Sequence, residues 1–120
     1  MKTKLYILDD ANNVIALPIT MDSKENVLKC GMFMEQMERR RVGDTTVGNY
    51  RISTVFLGLD HGFSLDGEEH TPILFETMVF SYSNEVDKLH DLYQDRYATW
   101  DEAVVGHKAV VKLIEKHVKN

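Results

Sequence analysis

The sequence lacks the features that define several protein classes. Its single cysteine, Cys30, cannot form an internal disulfide, which excludes the disulfide scaffolds of small secreted proteins. No apolar run approaches the ~18 residues that cross a bilayer. The apolar run near the N-terminus has only four residues, too few for a signal peptide. We therefore expect a cytoplasmic protein with no membrane partner.

Basic residues are also few. Fourteen Lys and Arg against nineteen Asp and Glu give a formal net charge of -5, the wrong sign for general electrostatic attraction to nucleic acid. We therefore predict no general nucleic-acid binding. The hydrophobic fraction of 43% is average for a globular domain, and 120 residues bury one core. The sequence predicts a single domain over residues 1–120.

Hydrophobic spacing predicts the elements of the first half. Leu5–Leu8 and Val14–Leu17 flank an Asp/Asn turn, as in a β-hairpin. Apolar residues at helical spacing predict a helix from Asp22 to about Arg40. The segment Arg41–Leu59 predicts a second hairpin that turns at the Gly48-Asn49 dipeptide.

The second half predicts a central strand and a long helix. Ile73–Phe80 is apolar on both faces of a strand, and the polar stretch Asn84–Arg96 fits either a short helix or an ordered loop. Thr99 and Glu102 have capping-box spacing and predict a helix through about Val118. The fold class is then α+β, with one antiparallel sheet of about five strands and the two main helices on one face.

Glu76 is a carboxylate in the middle of this central strand, among apolar neighbours on its own face. A buried charge requires a partner, and Arg51 on the preceding strand and His107 on the last helix are the candidates. Such a carboxylate is able to act as a base or ligand contact. A structural ion pair is the simpler explanation.

His107 shares one stripe of the last helix with apolar residues, so the pattern turns its side chain toward the sheet. The other members of the stripe are Trp100, Ala103, Val110 and Ile114. A histidine there is able to shuttle protons near neutral pH, but a core histidine with satisfied hydrogen bonds is commoner.

Two further clusters carry polar chemistry. Asp60 and His61 precede a loop with more carboxylates and His70, but the spacing matches no zinc signature, so a solvated acidic loop is favoured and no metal or cofactor is predicted. A group of aromatic and arginine side chains has the composition that stacks on a nucleobase, or that packs at a helix start. This group is Tyr93, Arg96, Tyr97 and Trp100. Arg39–Arg41 fits a phosphate contact or a solvated helix end.

Three strings resemble those of a widespread group of small proteins encoded by bacteriophages and prophages. They are RISTVFLGLDH at 51–61, PILFETMVF at 72–80 and RYATWDEAVVGH at 96–107. The resemblance covers roughly residues 40–107. It implies a phage origin and an accessory role in the cytoplasm of a bacterial host, and it carries over no catalytic residue.

The favoured function is a binding protein without catalysis, acting in counter-defence by sequestering a small nucleotide-like ligand or by masking a host protein. Aromatic rings would stack on a base, arginines would meet phosphate, and carboxylates would bind ribose or base donors. Homo-oligomerisation is a further hypothesis. The candidate ligand-binding residues are Arg51, Asp60, His61, Glu76, Arg96, Tyr97, Trp100 and His107.

Two alternatives belong to other classes. In a small hydrolase, Glu76, His107 and the Asp60-His61 pair would converge, one as base and one orienting it, with or without a divalent ion. No recognised catalytic motif supports this alternative, and no catalytic residue is assigned. The other alternative is a structural or virion-associated phage component.

Overall fold

The computed structural model describes residues 4–18, 24–60, 71–81 and 94–119. These residues form six strands in two antiparallel sheets, together with three helices. The strands are β1 (Lys4–Leu8), β2 (Val14–Pro18), β3 (Arg41–Val47), β4 (Tyr50–Phe56), β5 (Phe75–Ser81) and β6 (Gln94–Tyr97). The helices are α1 (Lys24–Met34), α2 (Met37–Arg40) and α3 (Trp100–Lys119).

β1 and β2 form the predicted first hairpin. Asp9 holds its turn, because one carboxylate oxygen accepts the backbone N–H groups of Ala11 and Asn13, each at 2.9 Å. Asn12 adopts a φ of 65°, a conformation that asparagine tolerates. The side-chain chemistry that predicted a turn therefore operates as expected.

The predicted helix from Asp22 to Arg40 is wrong in its length. Asp22 lies outside the described residues, and α1 ends at Met34, where the Gln36 N–H bonds to the Phe33 carbonyl at 2.9 Å. Arg40 Nη1 donates to the backbone carbonyl oxygen of Met34 at 3.0 Å. This hydrogen bond satisfies a carbonyl group at the C-terminal end of α1 that has no partner within the helix. This capping lets the chain turn before the short helix α2.

The remaining strands form a sheet in the order β3-β4-β5-β6. The predicted hairpin turn lies at Gly48, with a φ of 59°. β4 ends at Phe56 rather than at Leu59, since Gly58 has a φ of 78° that breaks the extended chain. β5 lies between β4 and β6, which confirms that it is central.

Of the polar stretch 84–96, only the last three residues are described, and these form neither of the two structures that the pattern allowed. Its last residues, from Gln94, belong to the edge strand β6, and residues 84–93 lie outside the described residues. A strand of four polar and aromatic residues has no alternating apolar pattern, so backbone pairing to β5 determines it.

α3 begins at the predicted cap residue, Thr99. The Glu102 N–H donates to Thr99 Oγ1 at 3.1 Å, and that hydroxyl donates to the Glu102 carboxylate at 3.2 Å. The predicted stripe faces the sheet, and its buried members are Ala103, His107, Val110 and Ile114.

One core cluster joins the two sheets to α1 and α3. Its buried members are Leu8, Phe33, Phe56, Leu74, Phe75 and Ala103. The α+β class with antiparallel strands is confirmed. The strands divide into two sheets rather than one, and the two main helices pack on different sheets: α1 on the β1-β2 hairpin and α3 on the four-stranded sheet.

Candidate functional site

The four-stranded sheet separates the predicted site residues onto two faces. The helix face packs against α3, and we call the opposite side the outer face. Strand register places these residues on the outer face: Arg51, Ser53, Val55, Glu76, Met78, Phe80, Gln94 and Arg96. Three predicted site residues, Arg51, Glu76 and Arg96, therefore share the outer face. Tyr97 and His107 lie on the helix face.

Glu76 is buried as predicted, but its predicted partners are wrong. Its Oε2 atom accepts from Arg96 Nε at 2.9 Å and from Gln94 Nε2 at 3.0 Å, so neither Arg51 nor His107 neutralises it. The register that sets Glu76 opposite Arg96 comes from β6, a strand that the sequence pattern does not reveal. Its face is also less buried than expected, since Phe80 is 38% exposed.

Arg51 forms an ion pair within the β3-β4 hairpin. Its Nε and Nη2 atoms donate to the two carboxylate oxygens of Asp44, both at 2.9 Å. This bidentate contact holds the pKa of Asp44 below its usual value. Both arginines expected to meet a phosphate, Arg51 and Arg96, are therefore engaged with carboxylates of this chain.

His107 lies between α3 and the sheet, as predicted for a satisfied core histidine. Its Nδ1 atom is 2.7 Å from Thr54 Oγ1, and its Nε2 atom is 2.9 Å from Thr45 Oγ1. Burial lowers the pKa of His107, and the nearby Asp44 carboxylate opposes this shift in part. The neutral imidazole can donate from one nitrogen and accept at the other, so both threonine contacts are satisfied together.

The Gly43 backbone closes one side of this imidazole. A Cβ atom added at Gly43 would lie 2.7 Å from His107 Cδ2, which leaves no space for a ligand there. His107 is 7% exposed. The geometry makes His107 a structural group between β3, β4 and α3.

Tyr97 also faces α3, and its ring is covered. A Cβ at Gly106 would overlap the Tyr97 ring. Burial raises the pKa of Tyr97. Within the described part of the chain, the Tyr97 hydroxyl has no hydrogen-bond partner. The ring packs against the core and is only partly exposed, and its contact with Gly106 covers part of its surface.

Trp100 is the predicted site residue that borders open space. It starts α3 and packs edge-on against Phe75, with ring centroids 6.3 Å apart. It lines a cavity of about 390 Å³ between the β1-β2 turn and the start of α3. The lining residues are Ala11, Asn12, Asn13, Val14, Thr71, Pro72, Ala98, Thr99, Trp100 and Asp101.

Most of this cavity was missed at the sequence level. Asn12 and Asn13 indicated a turn, and that chemistry is local. Their place beside Trp100 depends on how the hairpin packs against the rest of the fold. The only sequence signal was the side chain of Trp100 itself, within the predicted aromatic group.

Other predicted contacts have structural partners or lie outside the described residues. Asp60 Oδ1 accepts the Ile73 N–H at 2.9 Å, which joins the two ends of the acidic loop. His61, the rest of that loop through His70, and Tyr93 lie outside the described residues. Within the four described ranges, no group of three or more His, Cys, Asp or Glu side chains is placed to hold a metal ion.

The arginine triplet Arg39–Arg41 contacts other parts of the same chain. Arg39 donates to the Asp9 carbonyl at 2.7 Å, Arg40 donates to the Phe56 carbonyl at 3.1 Å, and Arg41 lies 3.9 Å from Asp44. These contacts join α2 to the β1-β2 turn and to the end of β4, and they join the start of β3 to Asp44 in the same strand. The triplet connects the two sheets, rather than ending a long helix in solvent.

Glu76 and His107 lie on opposite faces of the sheet, so these two members of the hydrolase alternative do not converge. Among the helices of the described ranges, none is long and apolar enough to cross a membrane. The chain matches no protein-family model, no curated protein and no solved structure.

Proposed function

We propose that this chain is a non-catalytic binding domain whose cavity at Trp100 takes a small, uncharged, planar heterocycle such as a nucleobase or nucleoside. One observation carries this proposal. The cavity combines an indole with amide, hydroxyl and carboxylate groups, and the described residues that line it include no lysine or arginine. Its volume of about 390 Å³ falls in the range of small-molecule sites.

The chemistry of the lining favours the base part of a nucleotide-like ligand over its phosphate. Indole rings stack on flat heterocycles, and the amides of Asn12 and Asn13 both donate and accept hydrogen bonds. The Asp101 carboxylate accepts from N–H groups but repels a phosphate. Among nucleotide-like ligands, this lining therefore favours an uncharged nucleobase or nucleoside.

The absence of catalysis in this proposal is supported by the positions of the candidate acids and bases. Glu76 is bound to Arg96 and Gln94, and His107 is held by two threonines. Neither residue lines the cavity. A ligand at Trp100 therefore lies away from the best candidate groups for proton transfer.

The resemblance to bacteriophage proteins supports an accessory role in which the domain removes a small ligand from solution. A domain that only sequesters needs affinity and no turnover. Masking of a host protein is the competing role for the same phage accessory protein. It predicts that purified chain shows no nucleoside affinity.

Trp100 supplies the test, because it is the only tryptophan of the chain. Its fluorescence is followed while adenosine, guanosine, cytidine and uridine are added, each alongside its 5′-monophosphate. We expect a saturable change with at least one nucleoside and weaker binding of the matching monophosphate. Asp101→Asn should reduce that difference, because it removes the repelling charge. Glu115→Gln, an exposed change further along α3, is the matched control.

Calorimetry on Trp100→Leu completes the test without relying on fluorescence. Heat of binding should disappear in this variant and persist in Glu115→Gln. The proposal fails if no nucleoside binds the wild-type chain at concentrations up to about 1 mM, the weakest affinity of interest here. It fails equally if binding survives unchanged in Trp100→Leu.

A further inference from the structure

Helix α1 is apolar on two opposite sides. Phe33 on one side is buried in the core beneath the hairpin. On the other side, Val27, Leu28 and Met32 are 52%, 65% and 60% exposed. Exposed apolar groups that are contiguous, rather than scattered, mark interaction surfaces.

The order of residues on this exposed side is symmetric. The residues that share it at helical spacing are Lys24, Val27, Leu28, Gly31, Met32 and Glu35, which we call the α1 face. Glu35 belongs to its last turn, since the Glu35 N–H bonds to the Gly31 carbonyl at 3.2 Å. About the midpoint between Lys29 and Cys30, the three pairs of equal distance are Lys24 with Glu35, Val27 with Met32, and Leu28 with Gly31.

This symmetry matches a second copy of the same helix in antiparallel orientation. A two-fold axis through the midpoint brings each residue of a pair against the other residue in the partner. Lysine then meets glutamate at both ends, and a large leucine meets a glycine near the centre. Each of these contacts is complementary in charge or in size.

Gly31 provides the space that such packing requires. Among the described residues, no atom lies within 4 Å of a Cβ placed at Gly31, so this part of the helix surface is open to them. Glycine in a helix interior costs about 1 kcal/mol relative to alanine, and the fold of one chain gives no reason for it here. A Leu28 side chain from a second copy fills that region.

We propose that the α1 face is a self-association surface, on which two copies of this chain pack their α1 helices antiparallel, with Leu28 of each against the partner's Gly31. The face carries one lysine and one glutamate, so it has no net charge to attract an acidic or basic partner. A face of one 11-residue helix is smaller than a standard interface of about 1,600 Å². The dimer is therefore weak and concentration-dependent.

The test is sedimentation equilibrium of the full chain from about 1 µM to 1 mM, which spans the affinities of weak dimers. The wild-type chain should pass from monomer to dimer across this range. Gly31→Gln should weaken the dimer about tenfold or more, because its side chain occupies the space for Leu28. The same variant should unfold at an equal or higher temperature, since glutamine favours helix over glycine. A misfolded variant would show the opposite thermal shift.

Charge reversal tests the antiparallel orientation. Lys24→Glu and Glu35→Lys should each weaken the dimer several-fold, and the double variant should restore it, because opposite charges then face each other again. Val105→Gln, at a 68% exposed valine on α3, is the control and should leave association unchanged.

Three results overturn the proposal. They are a wild-type chain that stays monomeric throughout the range, a dimer that Gly31→Gln does not weaken, and single charge reversals whose combination fails to restore association. None of these outcomes depends on the cavity at Trp100, so this proposal and the proposed function stand or fall separately.

Discussion

His107 Nδ1 lies 2.7 Å from the hydroxyl oxygen of Thr54, and the same oxygen lies 2.5 Å from that of Thr77. One buried hydroxyl thus links α3 to the two central strands. When Nδ1 carries the imidazole proton, Thr54 accepts it and turns its own hydrogen toward Thr77. When Nδ1 is bare, Thr54 donates to it and accepts from Thr77. The imidazole tautomer and the threonine orientations are therefore coupled.

The first prediction concerns the pH dependence of stability. Burial lowers the pKa of His107 below the value of about 6.5 in an unfolded chain. Between the folded and unfolded pKa values, the unfolded state binds more protons than the folded state. The stabilising contribution is therefore complete above the unfolded pKa and is lost as the pH falls toward the folded pKa.

Urea unfolding at several pH values from about 5.5 to 7.5 measures this effect. Stability of the wild-type chain should fall as the pH decreases, and His107→Gln should flatten the slope. Val105→Gln, at an exposed valine on the same helix, is the control and should keep the slope. Equal slopes in wild type and His107→Gln would show that a lowered pKa of His107 does not cause the pH dependence of stability.

The second prediction concerns the Thr54 hydroxyl. Thr54→Val keeps the side-chain shape but leaves His107 Nδ1 and the Thr77 hydroxyl without this partner. We expect a loss of about 1–3 kcal/mol in the free energy of unfolding, the usual cost of unsatisfied buried polar groups. Thr54→Ser retains the hydroxyl and should lose less, about the value of one methyl group. If both substitutions lower the free energy of unfolding equally, the hydrogen bonds of the Thr54 hydroxyl contribute nothing measurable to stability.

The third prediction concerns the contact between Tyr97 and Gly106. Gly106→Ala forces the new Cβ against the tyrosine ring, so it should lower stability by about 1–3 kcal/mol despite the better helix propensity of alanine. Gly31→Ala, on an open helix surface, is the matched control and should raise stability. Chemical denaturation of both variants decides the matter. A stabilising Gly106→Ala would show that the ring moves freely.

Features set by nearby residues were predictable from the sequence. The carboxylate of Asp9 and the backbone freedom of Gly48 located the two hairpin turns, and capping-box spacing at Thr99 located the start of α3. The apolar stripe around His107 predicted its direction correctly. These patterns depend on dihedral preferences and helical period, which act over a few residues.

Features that depend on distant residues were not predictable. The partner of Glu76 follows from the pairing of β5 with β6, and Gln94–Tyr97 has no pattern that marks a strand. The cavity at Trp100 depends on how the β1-β2 turn packs beside the start of α3. Backbone pairing and core packing decide both, and neither leaves a local signature.

The fourth prediction measures the ion pair between Glu76 and Arg96. The carboxylate is almost buried while the arginine side chain is 41% exposed, so solvent screens the attraction in part. A double-mutant cycle with Glu76→Gln and Arg96→Gln should give a coupling energy of about 1 kcal/mol, between the values of exposed and buried pairs. The Asp44–Arg51 pair, with a more exposed carboxylate, is the matched comparison and should couple no more strongly.

Salt separates the two contributions to this coupling. Raising the ionic strength to about 1 M shortens the screening length to about 3 Å, which weakens charge attraction but leaves hydrogen-bond geometry intact. The Glu76–Arg96 coupling should decrease less than the Asp44–Arg51 coupling, because its carboxylate is shielded from solvent. A Glu76–Arg96 coupling energy of zero at low salt would contradict this prediction. The hydrogen bond from Gln94 would then be the contact that stabilises the buried carboxylate, and Gln94→Ala should lower the free energy of unfolding more than Arg96→Gln.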